Sequence, residues 1–257
     1  MEKIKQALEQ ARQQRESTSH SSPGKALPPA EIVYTKTQSI DGSPLIMRES
    51  RLISSMERGE YTDAIKILST QVLQRMEENH WGSIAVTSPR ADMGATTTAL
   101  NLGLSIAREI EYTVLVVDAN LRSPGVHSYF GITPNYGLSD YLSDDVELSD
   151  ILVNPKGISH FVMLPAGKPS VMSSELLKSP KMCNLVEELK SRYPKRIIIF
   201  DLPPVLETAD ALSFMPCVDA ALLVLEDDET KEADLTRTVE LLSVTNIIGT
   251  VLNKSTT

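Results

Sequence analysis

Hydrophobic residues along most of the chain fall into short continuous runs separated by amphipathic segments. Such runs are typical of strands that are covered on both faces of a sheet. They occupy residues 83–87, 113–117, 161–164, 197–200, 220–225 and 247–252. Between them, helical spacing of apolar residues predicts helices over 97–109, 181–191, 208–214 and 231–243. This alternation predicts an α/β fold, with a mainly parallel sheet sandwiched by helices.

The first fifty residues follow a different pattern. Apolar side chains at Met1, Ile4, Leu8 and Ala11 are separated by charges, which predicts a short amphipathic helix over 1–16. That helix either docks a partner or membrane surface, or is solvated on all sides. Residues 17–30 are rich in Ser and Pro, as linkers are. We therefore expect an N-terminal helical arm and linker over 1–50 and one domain over 51–257, beginning with an amphipathic helix near 63–76.

Composition narrows the class of protein. A length of 257 residues fits one α/β domain with an appendage. The net charge of −9 argues against nonspecific nucleic-acid binding as the main role, so we expect no nucleic-acid partner. Two cysteines cannot make a disulfide framework or a Cys-based zinc site. No apolar run approaches the roughly 18 residues of a membrane span, and no signal peptide opens the chain, so we expect a cytoplasmic protein.

A loop that resembles a phosphate-binding loop follows the first predicted strand. The chain reads SPRADMGATTT before a helix, and ligands of parallel sheets bind at the carboxyl ends of strands. Gly94 and Thr96 match the G-x-x-x-x-G-K-[ST] pattern, whereas Pro89 and Ala95 replace its first glycine and its lysine. Taken alone, the segment fits a capped helix start as well as a phosphate site.

Two aspartates end predicted strands at the same sheet edge. Asp118 follows the run at 113–117, and Asp201 follows the run at 197–200. Either one alone could be a helix cap, but carboxylates at this edge also hold Mg²⁺ in phosphoryl-transfer sites. Because both lie beside the loop that carries Thr96, the sequence predicts a magnesium site. Asn253 ends the last strand with an amide suited to a base edge.

The order of these motifs resembles the bacterial tyrosine kinases (BY-kinases) of capsule and exopolysaccharide synthesis. These belong to the deviant-Walker P-loop NTPases, which include MinD- and ParA-like proteins. The matching segments span about residues 63–254 and read TSPRADMGATTTALNLG, LVVDANLRSPGVH, LPAGKPSVMSSELLKSPKM, IIIFDLPPV and GTVLNK. The short leading helix and its Ser/Pro linker most resemble the exosortase-associated exopolysaccharide branch.

The resemblance implies a set of ligands and partners. ATP and Mg²⁺ would be the cofactors, and a membrane polysaccharide co-polymerase would supply an activating segment to rings of subunits. Thr96, Asp118 and Asp201 would hold Mg²⁺, and the two aspartates would be the catalytic residues. Nucleotide contacts would come from Arg90, Gly94, Ala95, Thr96, Thr97, Arg122 and Asn253.

The chain departs from the family pattern at positions where the expected active site contacts phosphate and Mg²⁺. Ala95 stands at the Walker lysine, whose charge lies against the β- and γ-phosphates. Losing such an electrostatic contact typically costs on the order of 3–4 kcal/mol in the transition state. Asp92 replaces a loop glycine and brings negative charge toward the ligand, which argues against ATP binding. Asn120 replaces the second aspartate of the D-A-D pattern and cannot act as a carboxylate base.

Two further features set the chain apart from an active kinase. Tyr193 is the last tyrosine, so we expect no acceptor cluster in this chain. The oligomerising E-x-x-R-x-x-R pattern is matched only loosely by Asp63, Lys66 and Ser69. One feature favours an active enzyme instead: Arg90 aligns with the signature lysine of the deviant Walker motif. It could reach phosphate across a dimer interface, or it could be a solvated loop arginine.

These observations favour a degenerate BY-kinase-like protein that regulates exopolysaccharide or capsule biosynthesis and export. It would act through a membrane co-polymerase or a catalytic paralogue, which would hold it at the inner membrane. Two alternatives stay open: an active tyrosine autokinase or ATPase that works through Arg90, Thr96, Asp118 and Asp201, and a partitioning-type positioning ATPase anchored by its first helix. A scaffold with an empty crevice is a fourth hypothesis.

Overall fold

The computed structural model describes residues 37–55, 59–144, 146–192 and 195–255. The amphipathic helix expected over 1–16, the linker over 17–30 and Tyr193 lie outside the described residues. Within those residues, eight strands form one sheet in the order β1-β4-β5-β3-β6-β2-β7-β8. They are β1 (Gln38–Ile40), β2 (Ser83–Thr87), β3 (Thr113–Asp118), β4 (Val153–Pro155), β5 (Phe161–Leu164), β6 (Arg196–Asp201), β7 (Ala220–Glu226) and β8 (Asn246–Asn253).

Neighbouring strands run parallel throughout the sheet, apart from the antiparallel pair β4–β5. The mainly parallel sheet predicted from the sequence is confirmed. The described helices are α1 (Pro44–Glu49), α2 (Glu60–Asn79), α3 (Ala95–Ile106), α4 (Leu138–Ser143), α5 (Leu148–Ile151), α6 (Ser173–Leu177), α7 (Pro180–Arg192), α8 (Asp210–Phe214) and α9 (Glu232–Leu241).

Helices cover both faces of the sheet. Val114 and Val116 of β3 enter the core shared with α2 and α3, whereas Leu115 and Val117 enter the core shared with α7 and α8. Because neither face of the sheet meets water, all five residues of a central strand such as β2 are buried. This explains why the central strands read as continuous apolar runs rather than as alternating patterns.

The sheet includes residues upstream of the boundary expected at residue 51. β1 pairs with β4, and α1 contacts the 3₁₀ turn Val126–Phe130. α1 begins after Ser43, whose hydroxyl accepts a hydrogen bond from the Ile46 amide at 3.4 Å, and Pro44 supplies a favourable first helical residue. β1 and β4 are three residues long. Runs this short carry no usable periodicity, so the sequence did not predict them.

Helix α3 lies very close to β3. A Cβ added at Gly103 would come within 2.8 Å of Val116 Cγ2. This absence of a side chain lets the helix that begins at the phosphate-type loop pack directly on the strand that ends in Asp118. The loop and the aspartate are therefore connected through the packed contact of α3 with β3.

Cys183 and Cys217 form a disulfide between α7 and the 3₁₀ turn that precedes β7, with a Cα–Cα distance of 5.5 Å. A single bridge is not a disulfide framework, in agreement with the cysteine count. Among the helices of the described residues, none combines the length and the apolar character that a membrane crossing requires.

Candidate functional site

The loop between β2 and α3 is shaped by a glycine and clamped by β8. Gly94 has φ +87° and caps α3, and a Cβ at this position would lie 2.1 Å from Asn253 Nδ2. Asn253 Nδ2 donates to the Met93 carbonyl at 2.9 Å. The backbone therefore requires glycine here, both for its left-handed conformation and for the close approach of the asparagine.

Ala95 is the first residue of α3, the position at which the motif resemblance implies a lysine. It packs against the apolar core on the α2–α3 face. Lys254 lies nearby, but its Nζ donates to the Asp92 carbonyl at 2.7 Å and pairs with Glu226 at 2.9 Å. The loop therefore has a lysine that braces its backbone and no lysine that extends from its helix start.

Asp118 and Asp201 occupy matching positions on the neighbouring strands β3 and β6. Asp118 Oδ2 accepts hydrogen bonds from the amides of Gly125 and Val126 at 2.9 and 3.0 Å. Asp201 Oδ2 accepts one from the Thr96 hydroxyl at 2.8 Å. Asp201 Oδ1 is buried and has no hydrogen-bond partner among the described residues.

Both carboxyl groups resist ionisation in this setting. Burial raises the pKa of Asp118 to about 6, against the opposing effect of its backbone hydrogen bonds. Burial and the charge of Asp118 together raise the pKa of Asp201 well above its ordinary value, although the Thr96 hydroxyl opposes the rise. Two adjacent buried acids of this kind are stabilised in their charged form by a cation.

The donor set fits Mg²⁺. Asp201 Oδ1 is free to coordinate, the Thr96 hydroxyl lies beside it, and oxygen ligands are those that Mg²⁺ prefers. No group of three or more His, Cys, Asp or Glu side chains suited to a metal occurs in the part of the chain that the structure describes.

Arg122 follows β3 and is held by a buried carboxylate. Its Nε and Nη2 donate to Asp210 at 2.9 and 3.2 Å, and the hydroxyls of Ser173 and Ser174 also donate to Asp210. Burial alone would raise the pKa of Asp210, but Arg122 and the two serines bring that pKa below its usual value. Arg122 is thus pre-positioned at the cavity with its charge already paired.

Arg90 lies on the loop but is turned toward α9. Its Nε and Nη2 donate to the two carboxylate oxygens of Asp234 at 2.6 and 3.0 Å. It does not line the cavity at the strand ends. A role for Arg90 at a second subunit stays a prediction.

An open cavity of about 870 Å³ lies at the carboxyl ends of the strands. Of the expected nucleotide contacts, all but Arg90 line it, namely Gly94, Ala95, Thr96, Thr97, Arg122 and Asn253. The sequence did not single out four other residues of its wall, which are Arg51, Tyr61, Tyr129 and Glu207. The cavity is therefore built by the expected loop and by a wall that the sequence did not reveal.

Three of these residues make hydrogen bonds to the loop or to α3. Tyr129 and Thr97 share a hydrogen bond of 3.2 Å between their hydroxyls. Tyr61 accepts a bond from Asn101 Nδ2 at 2.8 Å, and Glu207 Oε1 accepts one from the Ala91 amide at 2.9 Å. No local pattern marks such contacts, because they join residues that are 32, 40 and 116 positions apart in the chain.

The oligomerisation pattern is incomplete in the structure as well as in the sequence. Asp63 and Lys66 are exposed on α2, but Ser69 is buried and its hydroxyl lies 2.8 Å from that of Ser105. The position where the family pattern has its second arginine therefore faces the interior of this molecule.

A mainly parallel sheet, a strand–loop–helix turn with Thr96, and two strand-end aspartates define the chain as a P-loop NTPase-fold protein. No protein-family model matches it. The tyrosine-protein kinase YwqD of Bacillus subtilis is 30% identical over 173 residues, which cover 66% of this chain and 71% of YwqD. The putative tyrosine-protein kinase CapB of Staphylococcus aureus is 27% identical over 179 residues, which cover 69% of this chain and 77% of CapB. The chain belongs to the bacterial tyrosine-protein kinase family, as the motif order predicted.

A longer relative shares the same region. The succinoglycan biosynthesis transport protein ExoP of Rhizobium meliloti is 27% identical over 225 residues. The match covers 85% of this chain and 28% of ExoP. This chain therefore corresponds to a minor part of that protein.

Solved structures agree with the family. The chimerical protein CapA2B2 aligns with a TM-score of 0.74 at 23% identity, covering 88% of this chain and 96% of that one, which shows the shared fold. The VpsO kinase domain aligns with a TM-score of 0.68 at 30% identity, covering 76% and 96%. MinD of Pyrococcus horikoshii, complexed with Mg-ADP, aligns at 0.55 and 25% identity, covering 68% and 72%. Nucleotide and Mg²⁺ are thus ligands found within this fold.

Proposed function

We propose that this chain is a degenerate bacterial tyrosine kinase that regulates exopolysaccharide or capsule assembly and export without transferring phosphate. It acts by binding a membrane polysaccharide co-polymerase or a catalytic paralogue, and this partner holds it at the cytoplasmic side of the inner membrane. Ala95 at the start of α3 is the observation that carries the proposal. The names of the relatives, tyrosine kinases and a succinoglycan transport protein, support the pathway.

Ala95 matters because catalysis of phosphoryl transfer is almost entirely positioning and electrostatic stabilisation. Two cations near the loop do not replace the lysine: Arg122 is paired with Asp210, and Lys254 is paired with Glu226. Asp92 and Glu207 add negative charge to the same wall. A transition state that accumulates charge on the γ-phosphate would find little compensation there.

One observation favours the alternative of an active ATPase or tyrosine kinase. Asp201 keeps an unpartnered oxygen beside Thr96, which is the arrangement that a Mg²⁺ ligand requires. Bound Mg²⁺ would neutralise phosphate charge, while Asp118 and Asp201 would orient the ion and its waters. A partitioning-type ATPase is less well supported, since a nucleotide-driven dimer switch also depends on the phosphate loop that Ala95 alters.

The proposal is tested by co-purification from the native host. The tagged full chain is extracted from membranes together with its co-polymerase and any lysine-containing kinase paralogue, and Asp201→Asn is compared with the wild type. We expect both forms to retain one of these partners equally, with no phosphotyrosine that depends on Asp201. Failure of the folded chain to bind either partner, or phosphotyrosine that disappears in Asp201→Asn, would contradict the proposal.

A further inference from the structure

Arg51 differs from the other cations that line the cavity. Arg122 and Lys254 are tied to carboxylates, whereas the guanidinium of Arg51 has no hydrogen-bond or ion-pair partner among the described residues. Arginine presents a planar fork of donors that matches phosphate oxygens. An unpaired guanidinium on the wall of a cavity of about 870 Å³ is thus available to an anionic ligand.

The backbone of Arg51 is fastened to the helix that begins at the loop. Its carbonyl accepts a hydrogen bond from Asn101 Nδ2 at 3.0 Å, and Asn101 lies on α3, the helix that begins at Ala95. The Arg51 amide in turn donates to the Arg48 carbonyl at 3.0 Å. These contacts hold the start of the arginine side chain at a fixed position relative to the loop.

The conformation of Arg51 is one that glycine normally supplies. It follows the C-cap of α1 with φ +56°, and the Leu52 amide donates to the Met47 carbonyl at 2.9 Å, as in a Schellman helix end. This left-handed backbone conformation is less favourable for a residue with a side chain than for glycine. The arginine is therefore present despite the local backbone preference, and its free guanidinium is the feature that glycine would lack.

Arg51 lines the same cavity as the hydroxyl-bearing residues Tyr61, Thr97 and Tyr129. Burial raises the pKa of Tyr61, and the hydrogen bond from Asn101 and the positive charge of Arg51 oppose that rise. Asn101 donates to the Tyr61 hydroxyl and lies four residues after Thr97 on the same face of α3. Arg51, Tyr61 and Thr97 thus line one side of the cavity, next to the loop.

We infer that Arg51 binds the phosphates of a nucleoside di- or triphosphate from this wall, and supplies within one chain part of the positive charge that Ala95 removes. The inference rests on the proposed function, because it treats the cavity as a nucleotide site that binds without transferring phosphate. Its ligand class follows from the shape of the loop, the oxygen ligands for Mg²⁺ and a guanidinium that has no partner within the described part of the chain.

The test is isothermal titration calorimetry of the full chain with Mg-ATP and Mg-ADP at low ionic strength. Arg51→Gly removes the guanidinium at a position where glycine suits the backbone, so the fold is expected to persist. The matched control is Arg48→Ala, which removes an exposed arginine from α1 outside the cavity. We expect Arg51→Gly to raise Kd roughly 10- to 100-fold, the range for a hydrogen bond to a charged group, and Arg48→Ala to leave it unchanged.

Equal nucleotide affinity in Arg51→Gly and the wild type overturns the inference. Absence of binding by the wild type also overturns it, while leaving the proposed regulatory role intact, since that role needs only a partner. Binding that depends on Arg51 but is followed by phosphate release sustains the inference and contradicts the proposed function. Should Arg51→Gly fail to fold, Arg51→Lys and Arg51→Gln share the same backbone strain and differ in charge, and only the lysine is expected to retain binding.

Discussion

At the scale of single residues, Asp118 and Asp201 lie side by side beneath a loop that carries Ala95. The strand-end aspartates, Thr96 and Asn253 could be anticipated from the sequence, because each sits where a predicted parallel strand or its following helix begins or ends. Arg51 could not be anticipated, because its place on the cavity wall involves a contact with Asn101, 50 residues further along the chain.

The aspartate pair gives metal-free protein a distinctive dependence on pH. A raised pKa means that the folded state binds the proton more tightly than the unfolded state, so the protonated acids stabilise the fold at low pH. That contribution is complete below about pH 4 and is lost as pH rises through about 6, the pKa of Asp118. We expect Asp201→Asn to remove the charge repulsion and flatten this loss. Urea unfolding in EDTA, from below pH 4 to above pH 6, measures the free energy of unfolding, with the exposed Glu229→Gln as control. An unchanged pH profile in Asp201→Asn would show that the aspartate pair is not its cause.

Restoring the missing cation should tighten nucleotide binding. We expect Ala95→Lys to lower the Kd for Mg-ATP by roughly tenfold or more, the usual gain from a hydrogen bond to a charged partner. Ala95→Met supplies a side chain of similar length without the charge and serves as the control. Fluorescence titration with a labelled ATP analogue compares the two, and equal affinities would show that charge at this position is not what the loop lacks.

At the scale of elements, α3 connects the loop at its start to the sheet and to the cavity wall: it packs on β3, and its Asn101 bonds to Arg51 and Tyr61. The six long strands and the main helices fall close to their predicted positions, because burial on both faces leaves a clear apolar run and each helix keeps one apolar side. The short elements β1, β4 and α1 depend on pairing and capping partners far away in sequence, such as β1 with β4. The sequence therefore did not reveal that the end of α1 supplies Glu49, Ser50 and Arg51 to the cavity wall.

The tight contact of α3 with β3 predicts a steric effect. Gly103→Ala raises helix propensity, yet its Cβ would meet Val116 Cγ2 at 2.8 Å, so we expect a net destabilisation of about 1–3 kcal/mol. Val116→Ala removes the clashing atom. In a double-mutant cycle measured by urea unfolding, the cost of Gly103→Ala should shrink in the Val116→Ala background. Additive effects would show that the contact is not the cause.

The Asp210 cluster joins the segment after β3 to α6 and α8. Since the pKa of Asp210 is lowered in the fold, its charge stabilises the protein above the unfolded pKa of about 4, and this contribution is lost as pH falls. We expect Asp210→Asn to unfold at lower temperature than the wild type near pH 7, with the difference narrowing toward pH 3. Thermal melts at both pH values decide it, and a difference that stays constant or widens at low pH would contradict this sign.

At the scale of the whole molecule, the chain is a bacterial tyrosine-protein kinase family member in which Ala95 begins the helix after the loop. The family could be recognised from the sequence because five motifs occur in one order, each at a strand end. The sequence could not show which cations of the cavity are available to a phosphate, since this depends on how charges pair across the fold. Arg122, Lys254 and Arg90 are all engaged by carboxylates that are distant in sequence.

The most direct test of the central claim is turnover of radiolabelled ATP by the purified full chain with Mg²⁺. Phosphate release and phosphotyrosine are measured for the wild type and for Asp201→Asn, which lacks the carboxylate that we propose as a magnesium ligand. The account predicts that the two proteins are indistinguishable from each other and from the uncatalysed background. Phosphotransfer by the wild type that Asp201→Asn abolishes would contradict it.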